Sequence, residues 1–94
     1  MKLDLVVTRH PALIEYLKEI GLADSKTVVL THATPEDIIQ KNVAGVLPHS
    51  LSCLTETFTE VPLALPAELR GVELDLDLIR KYAGNPITYK ITTV

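Results

Sequence analysis

Tryptophan is absent and cysteine nearly so: Cys53 stands alone among 94 residues. A lone cysteine excludes an internal disulfide and fits a reducing compartment. Lying in an apolar helical pattern, it reads as core packing. Three tyrosines and one phenylalanine are the whole aromatic content, so the core has to be built mainly from Leu, Ile and Val. Cationic excess is missing as well. A formal charge of −3 and a pI near 5.5 disfavour duplex nucleic acid as a partner, because there phosphate neutralisation by Lys and Arg dominates affinity. They leave room for a small anion in a local positive pocket. No apolar run is long enough to span a membrane, and the N-terminus lacks a signal-peptide layout. Repeats and low-complexity segments are absent. These features lead to the expectation of a soluble, cytoplasmic protein with no membrane partner.

What is present is a hydrophobic fraction of 47%, enough for a buried core and against disorder. The length suits one domain spanning residues 1–94. Much aliphatic surface on so small a chain makes a homodimer the default expectation. Leu3 to Thr8 is apolar nearly throughout and reads as a strand covered on both faces. Pro11 then opens a helix with His10 as its N-cap and Gly21 as its stop. Thr27 to Thr31 reads as a second buried strand, and Thr34-Pro35-Glu36-Asp37 as a helix start close to a capping box. Val43 to Leu47 reads as a third strand. The next helix starts at His49 or Ser50 with Leu51, Leu54 and Phe58 inward. Glu60 to Leu65 reads as a fourth strand, placed at an edge or a strand start by Pro62. Asp75 caps a last helix that Gly84 ends, and Ile87 to Val94 forms the final strand. Strands alternating with short helices predict a compact Rossmann-like α/β domain: about five mainly parallel strands, helices on both faces, the last strand antiparallel at an edge.

In such sheets ligands bind outside the carboxyl ends of the strands. Thr8-Arg9-His10, Thr31-His32, Pro48-His49-Ser50 and, a few residues past strand four, Arg70 all fall there, so the three histidines share one rim. The first of these groups joins a strand end to a helix start, a place for an anion and above all a phosphate. Each residue also has a plain structural reading. His10, His49 and Ser50 can cap helices, Arg9 can be a solvated charge, and His32 and Arg70 can bind loop carbonyls. Thr8 and Thr31 can be ordinary strand residues. A three-histidine zinc site lacks H-x-x-x-H or C-x-x-C spacing. Arg9-His10 lacks the glycine of the Arg-His-Gly motif of histidine phosphatases, and no G-x-G-x-x-G follows the first strand.

Val7-Thr8-Arg9-His10-Pro11, Leu47-Pro48 opening a helix, Val61-Pro62-Leu63, and Leu65-Pro66-Ala67-Glu68-Leu69-Arg70-Gly71 followed by Glu73-Leu74 carry a resemblance. Together they resemble a small stand-alone accessory family of type III CRISPR systems, over most of the chain to about Leu74. The resemblance implies a CARF-like domain that senses cyclic oligoadenylates. It further implies ring-nuclease activity, in which a homodimer cuts the cyclic tetra-adenylate messenger and switches off the antiviral response. The implied reaction needs no metal and no cofactor, and leaves linear products ending in a 2′,3′-cyclic phosphate.

Position and residue chemistry distribute the roles. Arg9 suits charge stabilisation through bidentate donation. His10 is the first choice for general acid or base and His49 the second, or a base or ribose contact. Thr8, Thr31, His32 and Ser50 would bind phosphate or ligand, and Arg70 would close the site. The alternative is a non-catalytic cyclic oligoadenylate binder, a sponge built on the same cradle. A structural subunit that binds no nucleotide is the third class.

Overall fold

A computed structural model describes residues 2–94. Leu5–Val7 forms β1, three consecutive apolar residues, all buried, as befits a strand between two helical layers. Val6 packs into one layer with Leu3, Leu17, Ala23 and Ala44; Leu5 and Val7 pack into the other with Ile38, Val43 and Phe58. β2 (Val28–Leu30) and β3 (Asn42–Gly45) flank β1 in parallel. β4 (Thr57–Glu60) runs parallel beside β3, and β5 (Ile87–Tyr89) closes the sheet antiparallel to β4. The order is β2-β1-β3-β4-β5, the mainly parallel five-stranded α/β sheet that the alternation of elements predicts. No helix among the described residues is long and apolar enough to cross a membrane.

Four helices connect the strands: α1 (Pro11–Glu19), α2 (Pro35–Ile38), α3 (His49–Ser52) and α4 (Leu76–Tyr82). Residues of α1 and α4 meet over Ala12, Leu74 and Ile79, while Ile38 of α2 and Leu51 of α3 join the Val43 and Phe58 layer. Pro11 takes the first helical position and His10 the N-cap position, without a side-chain capping bond. At the other end Gly21 adopts φ +84°. Leu22 N–H then reaches Leu17 O at 2.9 Å and Gly21 N–H reaches Lys18 O at 3.2 Å, a Schellman closure. In α4 the Asp75 carboxylate accepts from Leu78 N–H at 2.8 Å. Asp75→Ala should therefore cost about 1 kcal/mol of stability, read as a lower urea midpoint with unchanged slope. A midpoint equal to that of the parent chain would remove the cap from the account.

The start of α2 is held by Asp37, whose carboxylate accepts from Thr34 N–H at 2.8 Å and from the Thr34 hydroxyl at 2.9 Å. These bonds hold the Asp37 carboxyl below its ordinary value, and the Arg80 guanidinium does the same to Glu19 across the α1–α4 contact. A carboxyl with a depressed folded pKa contributes stability above its unfolded pKa and loses it as pH falls through the folded value. Stability should therefore fall on acidification below the usual carboxylate range, modestly, because both groups are solvated. Asp37→Asn should make that acid limb shallower in pH-dependent denaturation. An identical limb would count against the Thr34–Asp37 contribution.

Five expectations from the sequence shift. β2 is an edge strand, so Val28 and Val29 are exposed rather than buried on both faces. β3 ends at Gly45, leaving Val46 outside it. The helix expected to reach Phe58 stops at Ser52, where the Thr55 hydroxyl donates to Ser52 O at 2.6 Å and turns the chain. Phe58 then lies in β4, which starts at Thr57 rather than Glu60. Its four-residue spacing from Leu54 mimics a helix face. Pro62, with no N–H to give a ladder, falls beyond the strand, where its carbonyl accepts from Gly84 N–H at 2.7 Å. β5 covers only Ile87–Tyr89, because its partner begins at Thr57 and Tyr89 already pairs with Phe58.

Candidate functional site

The chain steps from β1 to β2 on one side and then to β3 on the other, so the rim between β1 and β3 is the switch point where α/β sheets bind ligands. Gly45 shapes it. At φ +123°, a backbone conformation open to glycine, it lets β3 turn over the end of β1, and a Cβ there would stand 1.9 Å from Val7 O. Val46 N–H donates to that same Val7 O at 3.2 Å, and its side chain is left 81% exposed on the rim.

Leaving β1, Thr8 is buried. Its N–H donates to Leu30 O at 2.9 Å, and its hydroxyl accepts from His10 N–H at 3.0 Å. This small turn projects Arg9 outward and sets His10 at the head of α1. The His10 Nδ1 atom is buried with no hydrogen-bond partner in the protein. Buried polar atoms are nearly always paired, so this nitrogen is an exception that the protein's own groups leave unsatisfied. Thr8, Arg9 and His10 line a cleft of about 350 Å³ together with Thr31, His32 and Val46. Among the described residues lining it there is no carboxylate, so Arg9 sets its sign, and the N-terminus of the nine-residue α1 adds to it. Arg9 and His10 also border a second cleft, of about 360 Å³, against Leu65, Leu69, Gly71 and Glu73.

The rim therefore unites five of the eight residues read from the sequence: Thr8, Arg9, His10, Thr31 and His32. The other three lie apart. His49 lines a separate cleft with Ser52, Phe58, Glu60 and Tyr89, because α3 starts on the far side of Leu47. Ser50 is exposed and borders neither of these clefts. Arg70 is exposed on its loop; its neighbours Leu69 and Gly71 face the second cleft and Arg70 does not line it. Three or more His, Cys, Asp or Glu side chains do not gather into a metal-ligand set among the described residues. Glu60, Tyr89, Glu73 and Val46 line these clefts without being legible as site residues in the sequence. The alternation Phe58-x-Glu60 opposite Ile87-x-Tyr89 carries a signal for two of them, hidden when β4 is started at Glu60.

Residues 5–92 match the model of a family described as "Putative CRISPR-associated protein (Cas_VVA1548)". Comparison with curated proteins and with solved structures finds no match.

Proposed function

The chain belongs to this CRISPR-associated family, and from that premise we propose that it is a ring nuclease, binding cyclic tetra-adenylate and cutting it to linear products that end in a 2′,3′-cyclic phosphate. The observation that carries the reading is the Arg9–His10–His32 cleft over the ends of β1 and β2, free of lining carboxylates and edged by Val46 from the β3 end beside the switch point.

In the proposed reaction a ribose 2′-OH attacks the adjacent phosphorus. Its proton passes to a general base, the P–O5′ bond breaks, and a general acid protonates the leaving 5′-oxygen. Arg9 stabilises the charge that grows on the phosphoryl oxygens. His10 takes one proton-transfer role. His32, which shares the cleft, is a better second imidazole than His49, which lines another. Alignment of the 2′-oxygen with the scissile bond falls to the Thr8 and Thr31 side of the cleft. A cleft of this volume sits at the small end of ligand sites and takes only part of a four-nucleotide ring. Two copies about a two-fold axis, each presenting the same rim, would hold the whole.

The test incubates purified protein with radiolabelled cyclic tetra-adenylate in excess EDTA and resolves the products by chromatography. Linear adenylates ending in cyclic phosphate support the reading. Intact ligand that comigrates with the protein replaces the nuclease with a binder, and intact unbound ligand removes cyclic nucleotide from the account altogether.

A further inference from the structure

The cleft that holds His49 lies outside the site just described and has a different chemistry. In the antiparallel β4–β5 pair Phe58 stands directly opposite Tyr89, and Glu60 opposite Ile87. Directly paired residues share a face, and alternation brings Phe58 and Glu60 onto the same one. Phe58 is buried and forms the floor; Tyr89, 42% exposed, forms an open wall. Leu47 and Ile91 add apolar sides, and the volume is about 340 Å³. Polar lining comes from the Glu60 carboxylate, the His49 imidazole and the Ser52 hydroxyl, which donates to His49 O at 3.4 Å. Glu60 forms no ion pair among the described residues. The wall is held in place from behind. Lys90 Nζ donates to Glu56 O at 3.0 Å, and Ile91 packs into the core layer around Phe58.

A flat aromatic wall, an apolar floor, an acceptor and a donor are the components of a nucleobase site. A carboxylate only accepts, so Glu60 calls for an N–H of the ligand; an imidazole N–H of His49 can serve a neighbouring ring nitrogen. An exocyclic amine beside a ring nitrogen is the edge that adenine presents. The location fits too. A further cleft lies between them, sharing Leu47, Phe58 and Glu60 with this one and Val46 with the Arg9 cleft. Two strand spacings, about 10 Å, separate the end of β1 from that of β4, where Glu60 lies; Tyr89 stands one strand further, opposite Phe58 and two residues back from that end. A nucleotide with its phosphate at Arg9 would follow the rim to Glu60 and turn its base in from there, down the sheet face toward Tyr89.

We infer that the β4–β5 cleft is an adenine-binding subsite, with Tyr89 stacking on the base and Glu60 accepting from its exocyclic amine. The choice of adenine rests on the proposed function; the existence of a base site rests on the cleft.

The test titrates the full chain with adenosine, which carries no phosphate, to millimolar concentration and follows amide and aromatic NMR signals. Shifts are expected at Phe58, Glu60 and Tyr89. Purine riboside, which lacks the amine, should bind about tenfold more weakly, and so should adenosine to Glu60→Gln. Tyr89→Leu should weaken adenosine roughly tenfold. It keeps an apolar side chain at that strand position, and unchanged signals from the β1–α1 region would certify its fold. Absence of shifts in the cleft, or equal binding of adenosine by Tyr89→Leu and Glu60→Gln, overturns the subsite and leaves ring cleavage at Arg9 and His10 untouched. Adenosine bound in the cleft by a chain that ignores cyclic tetra-adenylate keeps the subsite and sinks the ring-nuclease reading.

Discussion

Gly45→Ala is expected to melt at least about 12 °C below the parent chain, or not to fold. The reason is geometric. The added Cβ would stand 1.9 Å from the carbonyl oxygen of Val7 and 2.8 Å from its carbonyl carbon. Both are backbone atoms of β1, the strand paired on both sides in the sheet. Neither can rotate away as a side chain would. The backbone at φ +123° is, in addition, one that L-residues rarely adopt. Steric displacement of a central strand and backbone strain together cost about 3 kcal/mol or more, and each kcal/mol lowers the melting temperature of a domain of this size by about 4–8 °C. Gly21→Ala is the matched control. It too sits at positive φ, but its Cβ would meet nothing within 4 Å, so only the left-handed backbone penalty of about 1–2 kcal/mol applies. Thermal melts by circular dichroism would rank the three chains. If Gly45→Ala melts at or above Gly21→Ala, β3 does not cross the end of β1 as described.

The second large effect concerns the proposed chemistry. His10→Ala should lower the single-turnover rate on cyclic tetra-adenylate by roughly 10²–10⁴, the usual contribution of a positioned acid or base. Its binding should stay within a few-fold of the parent, because an uncharged truncation leaves Arg9 and the helix terminus in place. Arg9→Ala should lose both binding and rate, about 10²–10³ in the latter, and Arg9→Lys should not restore the rate, since a point charge lacks the paired N–H donors. Filter binding and single-turnover cleavage separate the two quantities. Equal losses of rate and affinity in His10→Ala would make His10 a ligand contact instead of a proton carrier. Full activity in both variants would move the chemistry off this rim.

The legible parts of the fold were those where one local signal dominated. Leu5-Val6-Val7 reads as a doubly covered strand because no polar residue breaks it. Pro11 after His10 and Gly21 after Ile20 bracket α1 through backbone constraints that act at their own positions. Phe58 was misplaced because its spacing from Leu54 and Leu51 matches a helix face, while Thr57-Phe58-Thr59 also suits a strand. Only pairing with Val43 and Tyr89 decides between them.

The sequence by itself determined a mainly parallel α/β sheet and the polar turn that carries Thr8, Arg9 and His10, because strand ends and helix starts are written in adjacent residues. Whether Thr31 and His32 join that turn, and whether His49 and Arg70 do not, depends on strand order and on the angle at which each loop leaves its strand. Those are long-range properties, set by the pairing of β2 with β1 and by the passage of Gly45 over Val7. The same pairing brings Glu60 and Tyr89, 29 positions apart in number, onto one face, because an antiparallel register aligns residues that no local spacing relates.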